Sequence, residues 1–369
     1  MFSLWVVATG GVIYLRRSTE EETVTFQDAT PAGEGFSMPA EWTRHEACLM
    51  AWPSREALWD GRLDEAKRDY AAVARAVSGF EPVVMACNPG SAAEVRNTCG
   101  SGVEPLEVPI NDSWARDSGP IFVKDGAGTV AAVKFGFNAW GERWHPFDDD
   151  ARLPERVASH LGVPMFEAPL VLEGGSIFVD GQGTLLTTEQ CLLNPNRNPH
   201  LSREEIEGLL KDYLGVRTVV WLPFGHSLDV GPAATDGHID GIAQFVAPGH
   251  VILEVPSSPK ATEYAYGREN LAALEAARDA EGRAFTISRL DPDPDPDASV
   301  AYANFYLANG AVIVPTEGAS GDAAALDFLA GLYPEREVVG VPGEVLAFGG
   351  GGPHCITQQI PAAGVELPP

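Results

Sequence analysis

One α/β domain is the fold class predicted from these 369 residues, and three observations predict it. Five segments repeat apolar residues at helical spacing, about twice as many short runs rich in Val, Ile and Leu separate them, and no linker-like break interrupts the alternation. The helical period is read over Leu63 to Val77, Arg152 to Leu161, Ser202 to Leu214, Ala261 to Ala280 and Gly321 to Leu332. Strands are read at Pro82 to Ala86, Ile121 to Lys124, Val130 to Phe135, Leu185 to Thr188, Thr218 to Leu222, Ile239 to Val246, Val251 to Val255, Val312 to Val314 and Val345 to Phe348. By itself the pattern permits a doubly wound sheet or a barrel.

Fifty-two acidic against 25 basic residues leave a net charge of -27. Such a surface repels nucleic-acid phosphates and concentrates cationic small molecules, so nucleic acid is excluded as a partner. Five cysteines, with Cys48, Cys87, Cys99 and Cys191 at no metal-ligand spacing, fit a reducing cytoplasm better than a disulfide framework. Neither a metal nor another cofactor is expected. Met1 to Leu15 is apolar but too short to cross a bilayer, has no basic segment before it and is followed by Arg16 and Arg17. No cleaved signal peptide is therefore expected, and no membrane is expected as a partner. Residues 1–34 are read as an N-terminal extension of uncertain status, with a membrane-leaning tail or a mis-called start left open, 35–361 as the catalytic domain and 362–369 as a tail. The run Asp291-Pro292-Asp293-Pro294-Asp295-Pro296-Asp297 is read as a stiff, self-repelling surface loop.

The chemistry concentrates at Gly349-Gly350-Gly351-Gly352-Pro353-His354-Cys355, where a thiol follows a run of permissive backbone. A lone cysteine is more often a buried structural residue. Three acidic or imidazole motifs supply partners: Asp117 in NDSWARDSGP, Glu173 in LEGGSIFVDG, and His238 with Asp240 in TDGHIDG. If the chain runs straight from Gly237 into a strand, His238 and Asp240 project to one side and share a pocket. Glu173 reads as the end of a buried strand, where an unpaired carboxylate is costly, which favours a functional role. Asp112 reads as a turn or capping residue. Trp114 and Trp140 are candidates either for the core or for the wall of a cation-binding pocket.

NDSWARDSGP, FNAWG, LEGGSI, TEQCLLNPNRNPHLS, DGHID, YANFYLANG and GGGGPHCITQQ, in this order, resemble the agmatine deiminase family of the guanidine-modifying (pentein) superfamily. The resemblance runs from Gly35 to Gln359. It implies a five-bladed, pseudo-symmetric α/β propeller with its site on the axis, a homodimer, and hydrolysis of agmatine to N-carbamoylputrescine and ammonia, in polyamine synthesis or agmatine catabolism. It also implies Cys355 as nucleophile, His238 as acid and base, Asp117 and Asp240 as guanidinium ligands, and Glu173 orienting His238.

The chemistry of the substrate supports this assignment. A guanidinium is planar, permanently cationic and a poor electrophile, so its site needs carboxylates in fork geometry and a soft nucleophile. A thiolate among three carboxylates is disfavoured, so Cys355 is expected to rest mainly as the thiol unless His238 is protonated nearby, with a cationic substrate reversing that bias. The same central residues would serve arginine or peptidylarginine deimination. Free arginine would also call for a cation facing its α-carboxylate, a role open to Arg116, Arg143 and Arg197. A guanidine-binding protein without turnover would have lost Cys355 or His238, and both are present. A cysteine protease would leave the three carboxylates unexplained. Between Phe224 and Ala234 the chain departs from related sequences and retains one carboxylate, Asp229, so recognition of the distal amine is left open.

Overall fold

A computed structural model describes residues 29–227, 229, 234–261, 263–291 and 299–365, with the backbone of short strands at Ala8–Thr9, Val12–Ile13 and Thr25–Phe26. The Asp-Pro repeat, from Pro292 onward, and most of the apolar start of the chain lie outside these residues.

One unit recurs five times: two antiparallel strands, a helix, and a third strand parallel to the second. In chain order the central units are Ile121–Asp125, Val130–Gly136 and Met165–Val171; Ile177–Val179, Thr184–Thr188 and Thr218–Leu222; Ala243–Ala247, His250–Glu254 and Thr286–Leu290; and Tyr306–Ala308, Ala311–Thr316 and Glu337–Pro342. The remaining unit joins both ends of the chain. Thr357–Pro361 pairs antiparallel with His45–Ala51, which runs parallel to Val83–Cys87, with Val103–Glu107 added outside. Each unit is one blade, and the C-terminal strand completes the ring begun by the first.

The helices obey their sequence pattern. Leu63–Ser78 buries Ala66, Tyr70, Val73, Ala74 and Val77, one stripe at helical spacing. Leu153–Leu161 stops at Gly162 and Arg203–Leu214 at Gly215, both at φ 66°, where a Cβ is costly. Ser202 opens the latter helix in a capping box with Glu205. The other two expected helices form as Tyr264–Ala276 and Asp322–Leu332.

Two strand expectations are corrected. Val345 to Phe348 is the helix Glu344–Phe348; four apolar residues carry no period that separates strand from helix. The run from Ile239 opens with a 3-10 turn, Ile239–Gly241, and its strand starts only at Ala243. His238 and Asp240 therefore share the pocket through a turn, not through strand alternation.

Ring closure has its own polar latch. His45 Nδ1 lies 3.1 Å from Glu81, whose carboxylate also accepts from the Tyr306 hydroxyl at 2.6 Å and the Asn309 amide at 2.7 Å. Tyr306 and Asn309 belong to the last blade, His45 and Glu81 to the first. Tyr306→Phe removes one donor from a buried carboxylate and is expected to cost about 1–2 kcal/mol, read as a lower urea midpoint at unchanged m-value. An unchanged midpoint would remove the latch from the account of closure.

Candidate active site

Each blade delivers its chemical group at the same place, in the turn that enters its first strand. Asp117 lies in the short helix Ala115–Ser118 before Ile121, Glu173 precedes the turn Gly174–Ser176 before Ile177, and His238 and Asp240 flank Ile239 before Ala243. Cys355 precedes Thr357. The fifth blade supplies Asn304, two residues before Tyr306. Asn304 was not singled out from sequence, although it lies within YANFYLANG; its offset from a blade's first strand is the signal that finds it.

All five expected residues, Cys355, His238, Glu173, Asp117 and Asp240, come together and are buried. The Cys355 sulfur lies 3.4 Å from Asp240 Oδ2 and receives the Asn304 side-chain amide at 3.1 Å. Asn304 Oδ1 accepts from the backbone N–H of His354 at 3.1 Å and of Cys355 at 3.4 Å. One side chain thus sets both the backbone and the sulfur of the nucleophile candidate. His238 Nδ1 is 3.8 Å from Asp117 Oδ1 and 4.0 Å from Asp240 Oδ1, while Nε2 is 3.8 Å from Glu173 Oε2. Among the described residues, neither ring nitrogen has a hydrogen-bond partner.

Behind these residues stands a supporting layer. Asp117 accepts from the Trp140 indole at 2.9 Å and from the Gly175 amide at 3.1 Å. Arg197 holds Glu173 at 2.7 Å and Asp236 at 2.7 Å. Trp140 therefore orients a carboxylate. Trp114 packs in the core against Trp59 and Tyr70, with its edge beneath Gly351. Asp112 accepts from Ser113 N–H and pairs with Arg55 at 2.9 Å, the turn role expected of it. Asp229 spends its carboxylate on the hydroxyl and N–H of Thr235 and the N–H groups of Gly237 and His238, so it holds the histidine loop.

The protonation balance follows from burial and neighbours. Burial would raise Glu173, but the Arg197 charge, then the neighbouring His238 imidazolium, bring it down to about 2. Burial would lower His238, yet Asp117 foremost and then Cys191 and Glu173 hold it well above the ordinary imidazole value. Asp117 is pushed up to about 6 by burial, with the Asp240 and Glu173 anions adding to the push. Cys355 is driven well above the ordinary thiol by burial, then by Asp240 and Asp117. Cys355 thus favours the thiol even with His238 held toward the cation, the state in which the thiolate was expected, because burial adds to the push of the carboxylates.

A cavity of about 410 Å³ opens onto Cys355, His238, Asp240 and Asn304, walled by Val300, Pro315, Ala347, Phe348 and the glycines 350–352. Cys191, at no metal-ligand spacing in sequence, lies with Glu173 and His238 so that their donor atoms fall within 4.8 Å, close enough among the described residues to hold a metal ion. Of the three arginines considered for an α-carboxylate, Arg116 pairs with Glu41, Arg197 with Glu173 and Asp236, and Arg143 with Asp236 and the Ala234 carbonyl. An acid/base imidazole, a thiol and two carboxylates aimed at one space suit nucleophilic attack on a small planar cation.

A Cβ at Gly175 would fall 2.6 Å from His238 Nδ1, 2.8 Å from Asp117 Oδ1 and 2.9 Å from Asp240 Oδ2, in the space where these groups converge. Gly175→Ala is therefore expected to cost about 1–3 kcal/mol by overpacking and to abolish ligand binding, checked by denaturation and calorimetry; wild-type binding would show that the cation sits elsewhere. Removing Arg197 strands the buried Glu173 charge, so Arg197→Met is expected to lose about 3–5 kcal/mol, measured by urea unfolding.

A family model described as Porphyromonas-type peptidyl-arginine deiminase matches residues 37–361. Agmatine deiminase of Pseudomonas aeruginosa is 40% identical over 363 residues, covering 90% of this chain and 98% of the relative. Among solved structures, an agmatine deiminase of Enterococcus faecalis superposes with a TM-score of 0.86 at 34% identity, over 92% of this chain and 99% of the other. A C. jejuni agmatine deiminase with substrate bound superposes at 0.79 and 26% identity, over 90% of this chain and 97% of the other.

Proposed function

The chain belongs to the Porphyromonas-type peptidyl-arginine deiminase family, with agmatine deiminases as its similar relatives, and we propose that it hydrolyses agmatine to N-carbamoylputrescine and ammonia through Cys355. The observation that carries the residue roles is the convergence of the Cys355 sulfur, the His238 ring and the Asp117 and Asp240 carboxylates on one buried space.

Asp117 and Asp240 take the guanidinium nitrogens and aim its carbon at the sulfur. With the cation bound, Cys355 gives up its proton to solvent and the thiolate attacks, forming a tetrahedral adduct; the His238 imidazolium protonates the departing nitrogen, ammonia leaves and an amidino-thioether remains. His238 then takes a proton from water, which attacks the same carbon and releases the ureido product and the thiol. Glu173, held by Arg197, keeps His238 oriented and cationic for the first step. Asn304 donates to the sulfur and favours its anionic form.

The engaged arginines favour agmatine over free arginine, because Arg116, Arg143 and Arg197 each already meet carboxylates. Residues 35–361 form the catalytic domain in this reading, with 1–34 and 362–369 flanking it, and the protein works as a cytoplasmic homodimer; light scattering tests the dimer. No described helix is long and apolar enough to cross a membrane.

Ammonia and N-carbamoylputrescine are expected from agmatine but not from arginine or a blocked arginine peptide, with Cys355→Ala inactive and His238→Ala slowed about 10²–10⁴-fold. Turnover of arginine or the peptide in place of agmatine would keep the chemistry and overturn the substrate. Because anions hold the Cys355 proton, iodoacetamide labelling of Cys355 in the free protein should keep rising with pH above the ordinary thiol range, and a non-reactive cationic analogue should shift that rise to lower pH. An unshifted profile would refute activation by the substrate.

A further inference from the structure

His354 is fully buried one residue before Cys355, and the reaction above gives it no task. Its Nδ1 lies 2.8 Å from Asp240 Oδ2 and its Nε2 3.0 Å from Glu41 Oε1. A neutral imidazole has one N–H and one lone pair, and here the lone pair would have to face a carboxylate. Both contacts are satisfied only when both nitrogens carry protons, so the geometry calls for an imidazolium. Its ring packs on Phe178 at 4.8 Å between centroids. Glu41 is fixed in turn by Arg116 at 2.9 Å, and Arg116 also donates to the His354 carbonyl and to Gln359. On the other side, the Asp240 oxygen that meets His354 is the one 3.4 Å from the Cys355 sulfur. Alternating charges thus run Arg116, Glu41, His354, Asp240 and end at the thiol.

We propose that His354 is a positioning residue that fixes the rotamer of Asp240 and, as a buried cation, offsets the anion beside the Cys355 sulfur. The inference rests on Cys355 being the nucleophile. Without the ring, Asp240 directs its whole charge at the sulfur and the thiolate forms less readily. The groups facing His354 are Asp240, Glu41 and Arg116; those facing Cys355 are Asp240 and Asp117 as anions, the Gly352 backbone, Asn304 and Tyr70, with His238 lining the same cavity. Protonation agrees with the geometry. Burial and Arg116 push His354 down, but Glu41 and Asp240 lift it above the ordinary imidazole. Burial would raise Asp240, yet the bond and charge of His354, with His238 and Arg116, hold it low.

The test is the pH dependence of iodoacetamide alkylation at Cys355, followed on its own peptide by mass spectrometry, in wild type, His354→Asn and Glu41→Gln. At a fixed pH below the thiol pKa, His354→Asn is expected to alkylate about tenfold more slowly, an upward shift of about one pKa unit, and Glu41→Gln to slow it less. Thermal melting establishes that each variant is folded. An unshifted profile in folded His354→Asn would overturn the proposal. If that variant does not fold, an unshifted profile in Glu41→Gln overturns it. Alkylation needs no turnover, so these outcomes are separate from the agmatine assay with Cys355→Ala, which tests the reaction itself.

Discussion

Three carboxylates, Asp117, Glu173 and Asp240, are buried around one imidazole, and the cost of keeping their charge away from water governs the rest of the site. The protein meets that cost with cations of its own. Arg197 neutralises Glu173, His354 faces Asp240, and His238 lies between all three. Among the described residues no arginine pairs with Asp117; its stabilisation comes from the Trp140 indole and the Gly175 amide, and its carboxyl sits higher, at about 6. A planar cation entering the space beside Gly175 would complete the balance, which ties substrate choice to the electrostatics that keep the fold intact.

The five-fold frame is what makes such a cluster attainable. Residues from Asp117 to Cys355 are separated by most of the chain, yet each occupies the turn that enters the first strand of its blade. Strand pairing fixes those turns from below, and close packing fixes them from the side: Gly174 lies against the Arg116 carbonyl, Gly351 against Trp114 and Gly352 against Asn304. The glycines flanking the chemical residues are thus positions where backbone and side chains meet without room for a Cβ. Ring closure by Thr357–Pro361 on His45–Ala51 places Cys355 against the first blade, so the candidate nucleophile is held by the same contact that joins the ends of the propeller.

Much of this was legible in the sequence. Helical period located all five long helices, and Leu63–Ser78 and Arg203–Leu214 match to within a residue or so because their buried stripes are unbroken. Short apolar runs were less decisive: Glu344–Phe348 is a helix, and strands such as Met165–Val171, with Glu167 and Pro169 among its apolar residues, carry no clean run to find. The catalytic candidates were visible through residue type and motif, whereas their supports were not. Arg197, Trp140 and His354 act through contacts with residues 24, 23 and 114 positions away, a separation that no local pattern encodes.

The sequence by itself determined the chemical inventory, the acidic balance and the family, since thiol, imidazole and carboxylates in a fixed order are properties of residue identity. Tertiary structure decided what those groups are. Burial holds Cys355 toward the thiol, the Asp117 charge and its neighbours hold His238 toward the cation against burial, the ring made Asn304 a partner of the Cys355 sulfur, and long-range pairing removed Arg116, Arg143 and Arg197 from the pool of free cations. The physical reason is that charge and protonation depend on solvent and neighbours, and at the centre of a propeller both are set by segments far apart in the chain.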